Sequence, residues 1–312
     1  MTDKLFDEYR KVLDKLNLKT ADDLENLVKP LIKEATQIIL NQSSKKPKET
    51  SLLSHFGGQP YFEKGEKWPK SQGGNCLEFV FQIFNTGNIN IPNNIKLLQF
   101  YYDFEECPCE TSDDGWLVKT YENIDKDNFT IIEKPKEHEI VQYCEINYQA
   151  IKSLPIWNGI ESCDKNVKML SCVLNGEKPW EYYLKVVEKL IGEQGMKCKT
   201  YHIPTVDPLS SSDNFSIFWK VIRFFSALRY KSSSDNFSVI WKECQSFENK
   251  ISQLGGHAQW LQNDDSPSNN DFQLLFQLAS EDDARLLWED VGMIYIFYNP
   301  IDKEFEFVLQ CH

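Results

Sequence analysis

The sequence predicts an α+β fold: a mostly antiparallel, β-rich body built from two diverged copies of one unit, with N-terminal helices and a helical insertion. Three observations carry this. Near the N-terminus, apolar residues recur at helical spacing. Further on, short runs dense in aromatic and β-branched residues are bounded by Gly, Asn and Pro. Those runs then return near the C-terminus, in the same order and at a nearly constant offset.

Residues 3 to 41 read as helices. Leu5, Tyr9, Val12, Leu13 and Leu16 form one stripe, and Leu24, Leu27, Val28, Leu31, Ala35, Ile38 and Ile39 continue it. Thr20 and Asp23 have the spacing of a capping box, and Pro30 predicts a kink or break. The polar stretch Gln42 to Ser51 reads as a linker. Phe79 to Phe84, Leu97 to Tyr102 and Trp116 to Tyr121 read as strands. Pro179 to Gly192 reads as a helix with Pro179 in its first turn. Ser280 and Asp283 read as the capping box of a short inserted helix that ends at Gly292.

Two repeats are present. Ser210 to Ser216 recurs as Ser232 to Ser238, an offset of 22, and each copy is followed by Trp-Lys. Two repeats of this length predict a pair of packed helices rather than a solenoid. The longer repeat matches Gly57-Gly58 with Gly255-Gly256 at 198, Phe81-Gln82-Ile83 with Phe276-Gln277-Leu278 at 195, and Leu97 to Tyr102 with Met293 to Tyr298 at 196. The expected organisation is N-terminal helices and linker (1–50), a first β-rich copy (51–150), a connecting segment with helices and the 22-residue duplication at 210–242 (151–250), and a second β-rich copy (251–312). Two apolar-faced units of this kind would pack on each other as one compact domain.

Composition narrows the partners. The chain has 312 residues and a net charge of −13. No basic stripe is present of the kind nucleic-acid binding needs, and Lys45, Lys46 and Lys48 read as a solvated linker. Nine scattered cysteines predict free thiols in a reducing cytosol. The charged N-terminus, and apolar runs all shorter than the roughly 18 residues of a membrane span, predict a cytoplasmic protein without a membrane partner.

The chemistry-bearing residues are sparse. Cys107-Pro108-Cys109 and Cys311-His312 are close pairs with zinc-ligand chemistry. They read as a tight proline turn and a chain end, so no metal and no cofactor is expected. His55 and His257 flank the glycine pairs, and no nucleophile-elbow motif accompanies them. Asp113-Asp114, Asp264-Asp265 and Glu281-Asp282-Asp283 lack calcium-loop spacing. Gly73-Gly74 lacks the Lys-Ser/Thr of a phosphate loop. Trp68, Trp116, Trp260 and Trp288 sit at expected turns or strand ends, and two or three exposed together would mark a partner surface. The candidate binding residues are His55, His257, Trp260 and Trp288; no catalytic residue is assigned.

Several stretches together resemble the YwqG-like family: Leu254-Gly255-Gly256, Leu274 to Leu278, Leu287-Trp288-Glu289-Asp290-Val291-Gly292-Met293, and Phe305 to Cys311. Gly58 to Phe62, Trp68-Pro69 and Leu98 to Tyr101 fit the same pattern. The resemblance runs from about residue 24 to the end, with departures at His257 to Trp260, at Glu289 in place of Gly, and at the terminal Gln-Cys-His. It implies an internally duplicated α+β domain of unknown function without established catalytic residues. Relatives that look like parts of bacterial toxin–immunity neighbourhoods imply protein binding. The expected function is therefore a non-enzymatic cytoplasmic interaction module with a protein partner. The alternative is a hydrolase-type enzyme with its site in the cleft between the two copies, and a third reading is a structural part of a larger assembly.

Overall fold

The computed structural model describes residues 3–41, 52–135, 140–192 and 251–311. The 22-residue repeat and His312 lie outside them.

Helix α1 (Asp3–Lys15) buries Leu13. Helix α2 (Ala21–Val28) starts at the expected capping box: Thr20 accepts from the Asp23 N–H, and Asp23 reaches back to the Thr20 N–H at 2.8 Å. Such a cap is worth ~1 kcal/mol. Pro30 lies in a 3-10 turn (Lys29–Leu31), after which Ile32 turns extended.

The segment beyond it is a strand, β1 (Lys33–Asn41), where helical spacing predicts continuation of the helix. Pro30 has already withdrawn a helical N–H. The β-branched Thr36, Ile38 and Ile39 suit a pleated surface, and here strands lie on both sides of the segment. Two ladders of backbone hydrogen bonds outweigh a local helical preference.

The remaining strands are β2 (His55–Phe56), β3 (Phe62–Glu63), β4 (Glu78–Phe84), β5 (Leu97–Tyr102), β6 (Trp116–Tyr121), β7 (Phe129–Thr130), β8 (Cys144–Ser153), β9 (Gln253–Gly255), β10 (Gln273–Ala279), β11 (Met293–Asn299) and β12 (Glu304–Gln310). Nine of them join β1 in one antiparallel sheet in the order β12-β11-β10-β9-β1-β8-β2-β4-β5-β6, while β3 and β7 pair apart. The centre is the long β1–β8 ladder, from Lys33 opposite Ser153 to Asn41 opposite Glu145. An arm of four strands extends from each side of it. Each arm is bulged at one place, between Phe79 and Phe81 in β4 and between Leu274 and Phe276 in β10.

The sheet curls so that the two arms meet. Phe81 and Phe276, each just past its bulge, touch edge to face at 5.1 Å. Phe100, Tyr102, Ile294, Phe307 and Trp288 fill the same interior. Near closure, the Leu309 N–H donates to the Cys109 carbonyl at 2.8 Å, and Glu110 bridges Val308.

Helices α3 (Ile160–Cys163), α4 (Lys165–Leu174) and α5 (Pro179–Ile191) pack with α1 and α2 around Leu24, Val28, Val167, Leu170 and Tyr183. Pro179 occupies the expected first turn of α5, which stops at Gly192. The helix expected after Ser280 is a compact turn instead. Ser280 Oγ accepts from the Trp288 N–H at 3.0 Å and donates to the Gly292 carbonyl at 3.1 Å. Glu281 bridges Leu286, and Arg285, Glu289 and Val291 all take positive φ. A hydroxyl spent eight residues downstream does not cap a helix, and left-handed residues stop one from propagating.

Candidate functional site

Each arm carries a glycine pair at the end of its shortest strand, β2 or β9. Gly57 and Gly58 have φ of 54° and 76°, and Gly255 and Gly256 have 63° and 78°. A Cβ on Gly57 would lie 2.4 Å from the Val141 carbonyl oxygen, and one on Gly255 2.4 Å from the Asn90 side chain. Only glycine accepts both the sign of φ and the approach.

A matching set of hydrogen bonds surrounds each pair. Gln82 Oε1 accepts from the Tyr61 N–H at 3.0 Å while its Nε2 donates to the Leu53 carbonyl at 2.8 Å. Gln277 Oε1 accepts from the Gln259 N–H at 3.0 Å while its Nε2 donates to the Ile251 carbonyl at 2.9 Å. Ser54 Oγ accepts from Phe84 N–H at 2.9 Å, and Ser252 Oγ from Ala279 N–H at 3.1 Å.

The four sequence-predicted binding residues are all buried. His55 Nδ1 sits 2.6 Å from the Gly57 carbonyl, with its ring against Phe79 and Tyr143. Gln253 makes the corresponding bond in the other arm, its Nε2 donating to the Gly255 carbonyl at 2.9 Å. Trp260 packs on Gly159 and lies 4.5 Å from the Tyr295 ring centre. Trp288 donates its Nε1–H to the Ala279 carbonyl at 3.2 Å and stacks on Phe104. Trp68 is buried too and Trp116 is half-buried against Phe307, so no group of exposed tryptophans forms among them.

His257 is the one with a chemical neighbour. Its backbone N–H donates to Ser153 Oγ at 3.0 Å, and its Nε2 lies 2.7 Å from the Leu31 carbonyl. A carbonyl only accepts, so Nε2 carries the hydrogen and Nδ1 offers its lone pair. Nδ1 faces the Cys163 thiol, with Sγ 3.8 Å away. This is the order of a nucleophile, a base and an orienting group.

The electrostatics run against an activated dyad. Burial, and then the Lys33 ammonium, push the imidazole down to about 4. Cys163 is exposed as a residue, yet partial burial of its sulfur pushes the thiol up, with Asp264 and Asp164 adding to the effect and Lys33 opposing it. At neutral pH the pair is therefore a neutral thiol beside a neutral imidazole, without the thiolate that a cysteine nucleophile needs. The sequence holds no signal for this contact, because Cys163 lies in a stretch with no clear periodicity.

The second cysteine group is at the near-closure of the sheet. The Leu309–Cys109 bond brings Cys109 near Cys311. Burial pushes the Cys107 thiol up to about 12, helped by its hydrogen bond with the Glu289 side chain. Among the described residues no group of three or more His, Cys, Asp or Glu side chains is arranged to hold a metal ion. An open hollow of about 480 Å³ beside α1, lined by Phe6, Asp7, Arg10, Val173 and Gly176, holds no candidate nucleophile or base pair. No helix among the described residues is long and apolar enough to cross a membrane.

The chain has no match among curated proteins. A family described as a domain of unknown function matches residues 54–308, which takes in both glycine pairs, the strands of the two arms up to Val308 in β12, and the Cys163–His257 contact. On that match the chain belongs to the DUF1963 family.

Proposed function

We infer that the protein is a non-enzymatic cytoplasmic interaction module, as its resemblance to YwqG-like proteins implies, and that its two arms are diverged copies of one unit. One observation carries the first part: among the described residues, aromatic side chains of the two arms meet in the space between them. Phe276 touches Phe81 at 5.1 Å and Phe100 at 5.7 Å, and Trp288 closes the same interior. A hydrolase working between the arms needs a cleft there, so recognition falls to the outer surface. The net charge of −13 favours a basic partner. The second part rests on the matched bulges, glycine pairs and glutamine bonds.

The test is a low-salt pull-down of the tagged chain from its native cytosol, read by quantitative mass spectrometry. A single stoichiometric partner lost on raising salt is the expected result. A chain that comes alone at low salt overturns the reading.

The hydrolase reading has one observation in its favour, the Cys163–His257 contact. It predicts ester or amide turnover that disappears in Cys163→Ser, whereas an interaction module shows none to lose.

A further inference from the structure

The two ends of the ten-stranded sheet, β6 and β12, lie against each other without forming a ladder. At one end of this seam Trp116 stacks on Phe307, with ring centres 5.3 Å apart. At the other, Lys303 pairs with Glu122 at 2.6 Å. Strands β6 and β12 are the terminal strands of the sheet and are not hydrogen-bonded to each other. Long side chains, rather than backbone bonds, span the gap between them.

Both edges keep backbone groups unspent. An antiparallel strand points alternate residues at its neighbour. The Gly115 carbonyl accepts from Asp103 and the Tyr121 carbonyl from Lys96, so odd-numbered residues of β6 face β5. The N–H and C=O groups of Val118 and Thr120 therefore point off the edge, and they have no hydrogen-bond partner among the described residues. On β12, the Leu309 N–H is taken by Cys109, and both backbone groups of Phe307 are taken by Thr111 Oγ1. That cover stops there, and Phe305, the next outward residue, is left open.

Natural sheets blunt such edges with lysine, proline or a covering segment. Here the β12 edge carries acid. Glu304 is exposed, Glu306 is half-buried on the same face of β12, and neither has a cationic partner among the described residues. Burial and the neighbouring Glu304 hold the Glu306 carboxyl above its usual range. Of the cations at the seam, Lys303 is paired with Glu122 and Lys119 of β6 with Glu66, and Ile301 stands exposed beside Lys303.

We propose that the β6–β12 seam is a docking site for an extended, lysine- or arginine-rich peptide segment, which adds to the β6 edge as a strand and sets its basic side chains against Glu304 and Glu306. Backbone bonds to Val118 and Thr120 give the binding its register, and the carboxylates select basic over acidic segments. The proposal rests on the interaction-module reading and names its surface and the chemistry of its partner.

The test uses the full chain and the synthetic peptide acetyl-Lys-Val-Lys-Thr-Lys-Val-Lys-amide, with a Glu-for-Lys counterpart and a version N-methylated at alternate amides. Binding is followed by amide hydrogen exchange resolved by NMR. The lysine peptide is expected to slow exchange at Val118 and Thr120 at least tenfold, and the glutamate and N-methylated peptides to do neither. Thr120→Pro removes an outward N–H at an edge position that tolerates proline, and should abolish binding. The double variant Glu304→Lys, Glu306→Lys alters outward side chains only and should weaken binding at least tenfold. Protection elsewhere on the sheet, or binding that survives both variants, overturns the proposal, as does absence of binding by the lysine peptide. The same variants separate this failure from that of the module reading. A stoichiometric cytosolic partner captured equally by parent and variants leaves the module standing and removes the seam, whereas no partner for any of them removes both.

Discussion

Gln82 and Gln277 hold the same pair of backbone hydrogen bonds in opposite arms of the sheet. Each accepts from an N–H just past its glycine pair and donates to a carbonyl just before it. Both side chains are fully buried. Replacing either with Leu keeps the volume but strands a buried donor and a buried acceptor, which costs about 2 kcal/mol. Gln82→Leu and Gln277→Leu are each expected to lower the urea midpoint by a similar amount. A variant with no loss would break the equivalence on which the two-copy reading depends.

The glycine pairs give a sharper contrast. Gly57→Ala forces a side chain into positive φ and to within 2.4 Å of a carbonyl oxygen, so it should cost more than about 2 kcal/mol. Gly74 also has positive φ, but nothing lies within 4 Å of a Cβ there. Gly74→Ala should cost only about 1 kcal/mol. Thermal unfolding of the two variants checks the difference, and equal losses would show that close approach is not what Gly57 serves.

Much of this architecture is legible in the sequence because it is written locally. β4, β5 and β6 announce themselves as dense apolar runs between turn residues, and the constant offset aligns Gln82 with Gln277 before either has a partner. What is not legible depends on contacts distant in the chain. β1 has helical spacing, and only β8 and β9 beside it make it a strand. Ser280 has the spacing of a helix cap, and only the demands of Trp288 and Gly292 turn its hydroxyl elsewhere. The Cys163–His257 contact joins residues 94 apart through a packing of α3 on a glycine turn that no periodicity foretells. Burial of Trp260 and Trp288 is likewise a property of the curled sheet, not of their neighbours in sequence.

Cys163 provides a chemical check. Its thiol is held above the ordinary range, so its thiolate fraction at pH 7.5 is small. Alkylation by iodoacetamide should run slower than for a free thiol peptide, although the residue is exposed. His257→Ala should leave that rate the same or raise it, since the neutral imidazole supplies no positive charge. A large fall in the rate on losing His257 would mean that the dyad is activated, and would favour the hydrolase reading.

The pH dependence of stability should show two opposed buried groups. His257 is held down to about 4, below its ordinary 6.5. Over that interval the unfolded chain binds more protons, so stability rises with pH and this contribution is lost as pH falls toward 4. Burial holds the Glu281 carboxyl, hydrogen-bonded to Ser252, up to about 7 from its ordinary 4.5. Here the folded chain binds more protons, so this contribution is complete below 4.5 and is lost as pH rises to 7. Each is worth at most about 3 kcal/mol, and between 4.5 and 6.5 the two slopes oppose each other. Glu281→Gln keeps a partner for Ser252 but cannot ionise. It should therefore be more stable than the parent at pH 8, equal or slightly less stable at pH 4, and should reveal the rising slope of His257 between pH 4 and 6.5. Urea unfolding across pH 4 to 8 measures this directly. A variant curve that runs parallel to the parent at every pH would mean that Glu281 ionises freely in the folded protein, and that its carboxylate reaches water past Ser252.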